Sequence, residues 1–197
     1  MTYKLGLTGS IGMGKSTTAR LFADQGCEVW DADAAVHRMY APGGAAVGPV
    51  SRLLPAAIQG GAVSRKCLKD LISQDASVLK TLEQIVHPLV AQDREDFLAS
   101  SVSDIVVLDI PLLFEGGNEE AMDAVVCVSI SPEEQETRVM ARGTMTIEQF
   151  RQIRAKQMPN EEKCARSNYV VVTDNLEHAR AQVKEIVAEI RGKLSDA

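Results

Sequence analysis

Residues 9–16 read GSIGMGKS, directly after the apolar run YKLGLT (3–8) and ahead of the helical pattern STTARLFADQG (16–26). Every fixed position of G-x-x-x-x-G-K-[ST] is filled, in the strand–turn–helix context that this pattern's chemistry requires. Glycines let the backbone curl so that successive N–H groups aim at one point, and the following helix N-terminus adds positive potential there. The bland alternative is a glycine-rich turn with a solvated lysine. The context favours a loop that holds a nucleoside triphosphate, with Lys15 reaching the β/γ-phosphates and the Ser16 hydroxyl available to Mg²⁺.

Outward from the loop, short apolar runs alternate with longer helical patterns, as in βαβ units built on a parallel sheet. Strands are expected near 3–8, 27–31, 105–110, 124–130 and 168–172. Most lack polar alternation, which suits strands covered by helices on both faces. Helix starts carry cap signatures: SPEE (131–134) and TIEQ (146–149) have the capping-box form, and DNLE (174–177) is a weaker relative. The last helix carries Leu176, Ala179, Val183, Ile186, Val187 and Ile190 on one stripe. About seventy residues separate the second and third strands, broken by APGGAAVGP (41–49) and QGGA (59–62) and closed by a helical pattern from about 75 to 100. A helical insertion of that size is a natural place for substrate specificity.

Composition narrows the function classes. The chain has 197 residues and a formal net charge of −6, which argues against nucleic acid or an anionic membrane as partner. No apolar run approaches the ~18 residues of a spanning helix, and MTYKLGLTG lacks a signal peptide's layout, so a cytoplasmic protein is expected. The four cysteines (27, 67, 127, 164) show no CxxC and no paired histidines, which fits reduced thiols rather than zinc or a disulfide framework. A GTPase switch would carry DxxG and NKxD, and neither string occurs. A partner-driving ATPase usually needs more chain. A small-molecule kinase remains.

A kinase needs a group that orients and deprotonates the acceptor hydroxyl. EVWDADA (28–34) ends a strand in Asp31 and Asp33, and Asp109 lies near the end of the third strand. Ligands gather at the carboxyl ends of parallel strands, so the three carboxylates could converge on Lys15 and Ser16. Each has a structural rival. Asp33 could be a helix N-cap, worth about 1 kcal/mol. Asp31 could be structural or a distant magnesium partner. Asp109 could act on Mg²⁺ through water or serve as a buried turn acceptor.

GLTGSIGMGKST, then DAD (31–33), HP (87–88), DIPLLFE (109–115) and the spaced Thr146, Glu148, Ile153 and Gln157 occur in the order seen in dephospho-coenzyme A kinases. The chain resembles that family over roughly residues 3–180. The resemblance implies a P-loop kinase fold, α/β with a five-stranded parallel sheet flanked by helices. It divides the chain into a core (1–34, 102–137 and 161–197), a helical substrate-binding insertion (35–101) and a lid (138–160). It implies ATP-dependent phosphorylation of the ribose 3′-hydroxyl of dephospho-coenzyme A, with ATP and Mg²⁺ as cofactors; it leaves the oligomeric state open. Asp33 would be the base and Lys15 the group stabilising the transferring phosphoryl. ATP would be bound by Gly12, Met13, Gly14, Lys15, Ser16, Thr17, Arg138 and Arg142. The substrate would meet Asp33 and His87, and the metal Ser16 and Asp109. His87 could instead simply end a helical turn ahead of Pro88. Two departures stand out: Gly143 follows Arg142 where the family has Asp, which would loosen the helix end, and Val172-Thr173 replaces Asp-Asn. No nucleotide contact is assigned to the 172–175 loop.

Overall fold

A computed structural model describes residues 2–196 of the chain. In order the elements are β1 (Tyr3–Thr8), α1 (Lys15–Asp24), β2 (Glu28–Asp31), α2 (Ala32–Tyr40), α3 (Val47–Leu53), β3 (Ile58–Gln59), β4 (Ala62–Val63) and α4 (Arg65–Gln74). They continue as α5 (Ser77–Ser100), β5 (Ile105–Asp109), β6 (Ala124–Ser129), α6 (Pro132–Ala141), α7 (Ile147–Lys156), α8 (Asn160–Arg166), β7 (Tyr169–Val172) and α9 (Leu176–Ser195). The main sheet is five-stranded and parallel in the order β2-β5-β1-β6-β7, with β1 central. Contacts group residues 1–30 with 101–197 in one unit and 31–100 in another.

In the first unit every residue of β5 is buried, which explains a run with no polar alternation. Leu5, Leu7, Val107, Val126 and Val128 pack against Phe22 of α1 and Val183, Ile186, Val187 and Ile190 of α9 in one core. Burying such side chains contributes about 1.5–3 kcal/mol each. The expected stripe of α9 holds except at its first member: Leu176 is 52% exposed. Its N-cap is Asn175, whose side chain accepts from the His178 amide at 2.9 Å, rather than Asp174. Thr146 and Gln149 complete a reciprocal capping box on α7. Ser131 caps α6, but Glu134 turns to Arg138 at 2.6 Å, so only half of that expected box forms. Gly143, at φ 63°, ends α6 in the left-handed conformation that commonly closes a helix. It finishes the helix rather than loosening it.

In the second unit α5 packs against α2, α3 and α4. Arg38 of α2 donates to both carboxylate oxygens of Asp93 on α5, at 2.8 and 3.2 Å. QGGA is a hairpin turn between β3 and β4 rather than a break between helices. Gly60 and Gly61 both have positive φ, as a type I′ turn demands. The helix α5 runs through His87 and Pro88 without ending there. Pro88 lacks the N–H that would bond the carbonyl of Gln84, and Gln84 is exposed, so water can take its place.

Two long-range pairs were hidden by sequence separation. The thiols of Cys127 on β6 and Cys164 on α8 lie 3.8 Å apart, both free. Burial, and then the neighbouring Cys164, pushes the Cys127 thiol up; burial pushes Cys27 up to about 11. Lys163 of α8 is 0% exposed and pairs at 2.9 Å with Glu115, the last residue of DIPLLFE. Burial acts to raise the Glu115 carboxyl, but the hydrogen bonds from Lys163 and from the Met158 amide outweigh it and hold it below its ordinary value. A lowered folded value means stability present at neutral pH and lost as pH falls below about 4. Removing the carboxylate strands a wholly buried cation, whereas removing the lysine strands a carboxylate that is 21% exposed. Glu115→Ala is therefore expected to cost about 3–5 kcal/mol in urea unfolding at pH 7, and Lys163→Met clearly less. Equal losses would contradict this.

Candidate active site

The loop between β1 and α1 folds back on itself through the Met13 amide, which donates to the Ser10 carbonyl at 3.2 Å. Gly14 stands at the N-cap of α1 with φ 91°, a conformation open to glycine, and supplies no side-chain cap. The first turn holds no acidic residue, so the amides there are left to a ligand, as an anion site requires. Thr18 fixes the start of the helix by donating its hydroxyl to the Gly14 carbonyl at 3.2 Å.

Lys15, Ser16 and Thr17 follow in that first turn, with Ser16 and Thr17 exposed. The Lys15 ammonium pairs with the carboxylate of Asp109 at the end of β5. Asp109 is almost fully buried, 2% exposed at its side chain, and Lys15 is 16% exposed. The pair joins the start of α1 to the end of β5 and gives the ammonium a buried counter-charge. Among the described residues no cluster of three or more His, Cys, Asp or Glu side chains could hold a metal by itself. Ser16 and Asp109 nevertheless supply two oxygen donors of the hard type Mg²⁺ takes when phosphate oxygens complete its shell.

Beside the loop lies a cleft of about 270 Å³, lined by Gly14, Thr17, Thr18, Arg138 and residues 173–176 with Ala179. Here the unusual Val172-Thr173 sequence acquires a role. The Thr173 hydroxyl donates to the Met13 carbonyl at 2.7 Å, and its amide donates to the Ser129 carbonyl at 2.9 Å. Arg138 spends its guanidinium on this segment, donating to the carbonyls of Thr173 (2.7 Å) and Asp174 (3.2 Å) and to Glu134. In this arrangement it forms a wall of the cleft. Arg142 is exposed just past α6. Arg166, another of the chain's late arginines, pairs with Glu119 and lies 4.7 Å over the Phe114 ring.

In the second unit, Asp31 is the N-cap of α2, its carboxylate accepting from the Ala34 amide at 2.9 Å. Asp33 sits in the first turn, exposed and relieved of capping. The sequence alternative of Asp33 as the cap is thus corrected: α2 begins at Ala32, so the N-cap position and its bond to the third amide of the helix fall to Asp31, and Asp33 is already inside the first turn. His87 is exposed on α5.

Sequence reasoning passed over Gln135 and the Glu115–Lys163 pair and noted Thr173 only as a departure without a role, because the partner of each lies far along the chain or on the backbone. A glycine requirement was visible and now has a cause. A Cβ on Gly12, at φ 79°, would lie 2.4 Å from Cγ2 of Val139 on α6. Gly12→Ala is expected to lower stability by about 1–3 kcal/mol through backbone strain and to weaken nucleotide binding measured by calorimetry. Adding Val139→Ala should recover only part of the loss, because the clash is relieved and the strain is not. Full recovery, or no loss, would contradict that origin.

Comparison with known proteins places these features in context. The profile of the dephospho-CoA kinase family matches residues 3–178. The chain is 67% identical over 191 residues to a dephospho-CoA kinase of Ruegeria pomeroyi, covering 97% of each chain. It is 59% identical over 189 residues to that of Cereibacter sphaeroides, covering 96% of each. Among solved structures, a Thermus thermophilus protein is similar with a TM-score of 0.85 at 35% identity, covering 95% of this chain and 97% of that one. The dephospho-CoA kinase of Campylobacter jejuni shares the fold with a TM-score of 0.66 at 20% identity, covering 96% and 97%.

Proposed function

The chain belongs to the dephospho-coenzyme A kinase family, and on that premise we propose how its residues divide the work. The reaction is ATP-dependent phosphorylation of dephospho-coenzyme A to coenzyme A. The acceptor would be the ribose 3′-hydroxyl. The observation that carries the residue assignment is the division of labour in DAD: Asp31 caps α2, which leaves the exposed Asp33 uncommitted among the described residues. An uncommitted carboxylate just past the carboxyl end of a strand is the group suited to orient a hydroxyl and take its proton.

The amides of Gly12 and of Gly14 to Thr17 would cradle the phosphates of ATP around the turn that the Met13 amide closes, and the nucleoside would occupy the cleft beside Thr17, Arg138 and the 173–176 segment. Lys15 would follow the charge that develops on the transferring phosphoryl group, turning from Asp109 toward it. Mg²⁺, held by Ser16 and through water by Asp109, would neutralise phosphate charge. Arg142, exposed in the lid segment 138–160 and without an ion pair among the described residues, would meet the phosphates when that segment folds over them. The helical unit 31–100 would bind dephospho-coenzyme A, with the exposed His87 among its contacts. A reducing, cytoplasmic setting accords with four free thiols.

In a coupled ATP assay the protein should turn over dephospho-coenzyme A. Asp33→Asn should lower kcat by about 10²–10⁴, the usual worth of general acid–base catalysis, while ATP affinity stays unchanged. No turnover of dephospho-coenzyme A, with good turnover of a nucleoside or another alcohol, would sink the substrate assignment. Full activity in Asp33→Asn would sink the base.

A further inference from the structure

The phosphate loop is a backbone device, so its function depends on which way each peptide is turned. A carbonyl swung toward a phosphate would repel it, and the N–H and C=O of one trans peptide point in opposite directions. At Ile11, in the middle of GSIGMGKS, two side chains hold successive peptides. The Gln135 amide nitrogen donates to the Ile11 carbonyl at 2.7 Å. The Ile11 amide donates to the side-chain oxygen of Gln157 at 3.1 Å. Gln135 is 2% exposed and lies on α6, one turn ahead of Val139, which packs on Gly12. Gln157 is the C-cap residue of α7 and the last member of the spaced Thr146–Gln157 motif, to which the reaction itself assigns no task.

Gln135 lies just before the segment expected to act as a lid, residues 138–160, and Gln157 lies near the far end of that segment. The helix leading into that segment and a residue near its end therefore both bond to Ile11 of the phosphate loop. We propose that Gln135 and Gln157 are positioning residues that fix the Ile11 peptides and make the phosphate loop's shape depend on the state of the segment between α6 and the end of α7. Gln135 supplies a donor that holds the Ile11 carbonyl toward α6, which turns the Gly12 N–H the opposite way. Gln157 supplies an acceptor that keeps the preceding N–H engaged, and any movement of the end of α7 reaches the loop through it. The motif Thr146–Gln157 then makes sense as one unit: Thr146 starts α7 with a capping box, buried Phe150 anchors it, and Gln157 delivers its end to Ile11.

This proposal rests on the loop being the ATP site, and the two can be told apart. Wild-type turnover with ATP and dephospho-coenzyme A tests the reaction; the order of variants tests the clamp. Gln157→Glu keeps the acceptor, while Gln135→Glu loses the donor and sets oxygen against oxygen. KM for ATP is expected to rise about tenfold in Gln157→Met, the worth of one lost hydrogen bond, and Gln157→Glu should recover most of it. At 135 the order reverses, with Gln135→Glu worse than Gln135→Met. KM for dephospho-coenzyme A should stay within about twofold, and hydrogen exchange of the Ile11 amide should accelerate in Gln157→Met only. The same ranking of Glu and Met at both positions would overturn the clamp. So would a parallel rise in both KM values, or unchanged KM for ATP and unchanged exchange in every variant.

Discussion

A site made of backbone amides has no side chain of its own to hold it open, so its shape has to be imposed from behind. Around GSIGMGKS that support comes from every direction within its unit. Val139 leaves room only for hydrogen at Gly12, Thr173 holds the Met13 carbonyl, and Gln135 and Gln157 take both polar groups of Ile11. The supporting groups come from α6, the end of α7 and the loop after β7. Those elements are in turn fixed by their caps and by the core that α1 and α9 share with β1, β5 and β6. The fold can be understood as the means of keeping N–H groups turned one way over a few residues.

Charge is distributed on the same logic. Lys15 is the one cation of the loop, and buried Asp109 behind it gives it a defined resting partner. Deeper in the structure, Glu115 and Lys163 neutralise each other where water is scarce, and the Met158 amide at 2.9 Å adds a second donor to the carboxylate. That pair joins the segment after β5 to α8 and to the stretch that follows Gln157. The DIPLLFE motif is thereby shared between roles: Asp109 serves the loop, Leu113 and Phe114 fill the core, and Glu115 anchors α8.

The features legible in the sequence were those set by local pattern. The phosphate loop has fixed spacings, β5 and β6 are apolar on both faces, and Ser131 and Thr146 announce helix starts. Where two residues could do one job the sequence could not choose, as with Asp31 and Asp33 competing to cap α2. The β3–β4 hairpin escaped notice because two-residue strands carry no periodicity. The helical pattern from about 75 to 100 was legible, and the turn end that His87–Pro88 offered as an alternative within it does not occur, because the packing of α5 on α2, α3 and α4 sustains the helix. Gln135 and Gln157 were opaque for another reason. Their partner is a backbone group more than a hundred residues away, and side-chain identity at Ile11 says nothing of it.

The central chemical claim is that Asp33, released from capping by Asp31, meets the acceptor hydroxyl while the loop holds ATP. A crystal structure with a non-hydrolysable ATP analogue and dephospho-coenzyme A tests it most directly. The Asp33 carboxylate should lie within about 3 Å of the ribose 3′-hydroxyl, with that hydroxyl directed at the γ-phosphate held by Lys15. A hydroxyl bonded instead to Asp31 or to Asp109, with Asp33 left facing solvent, would contradict it.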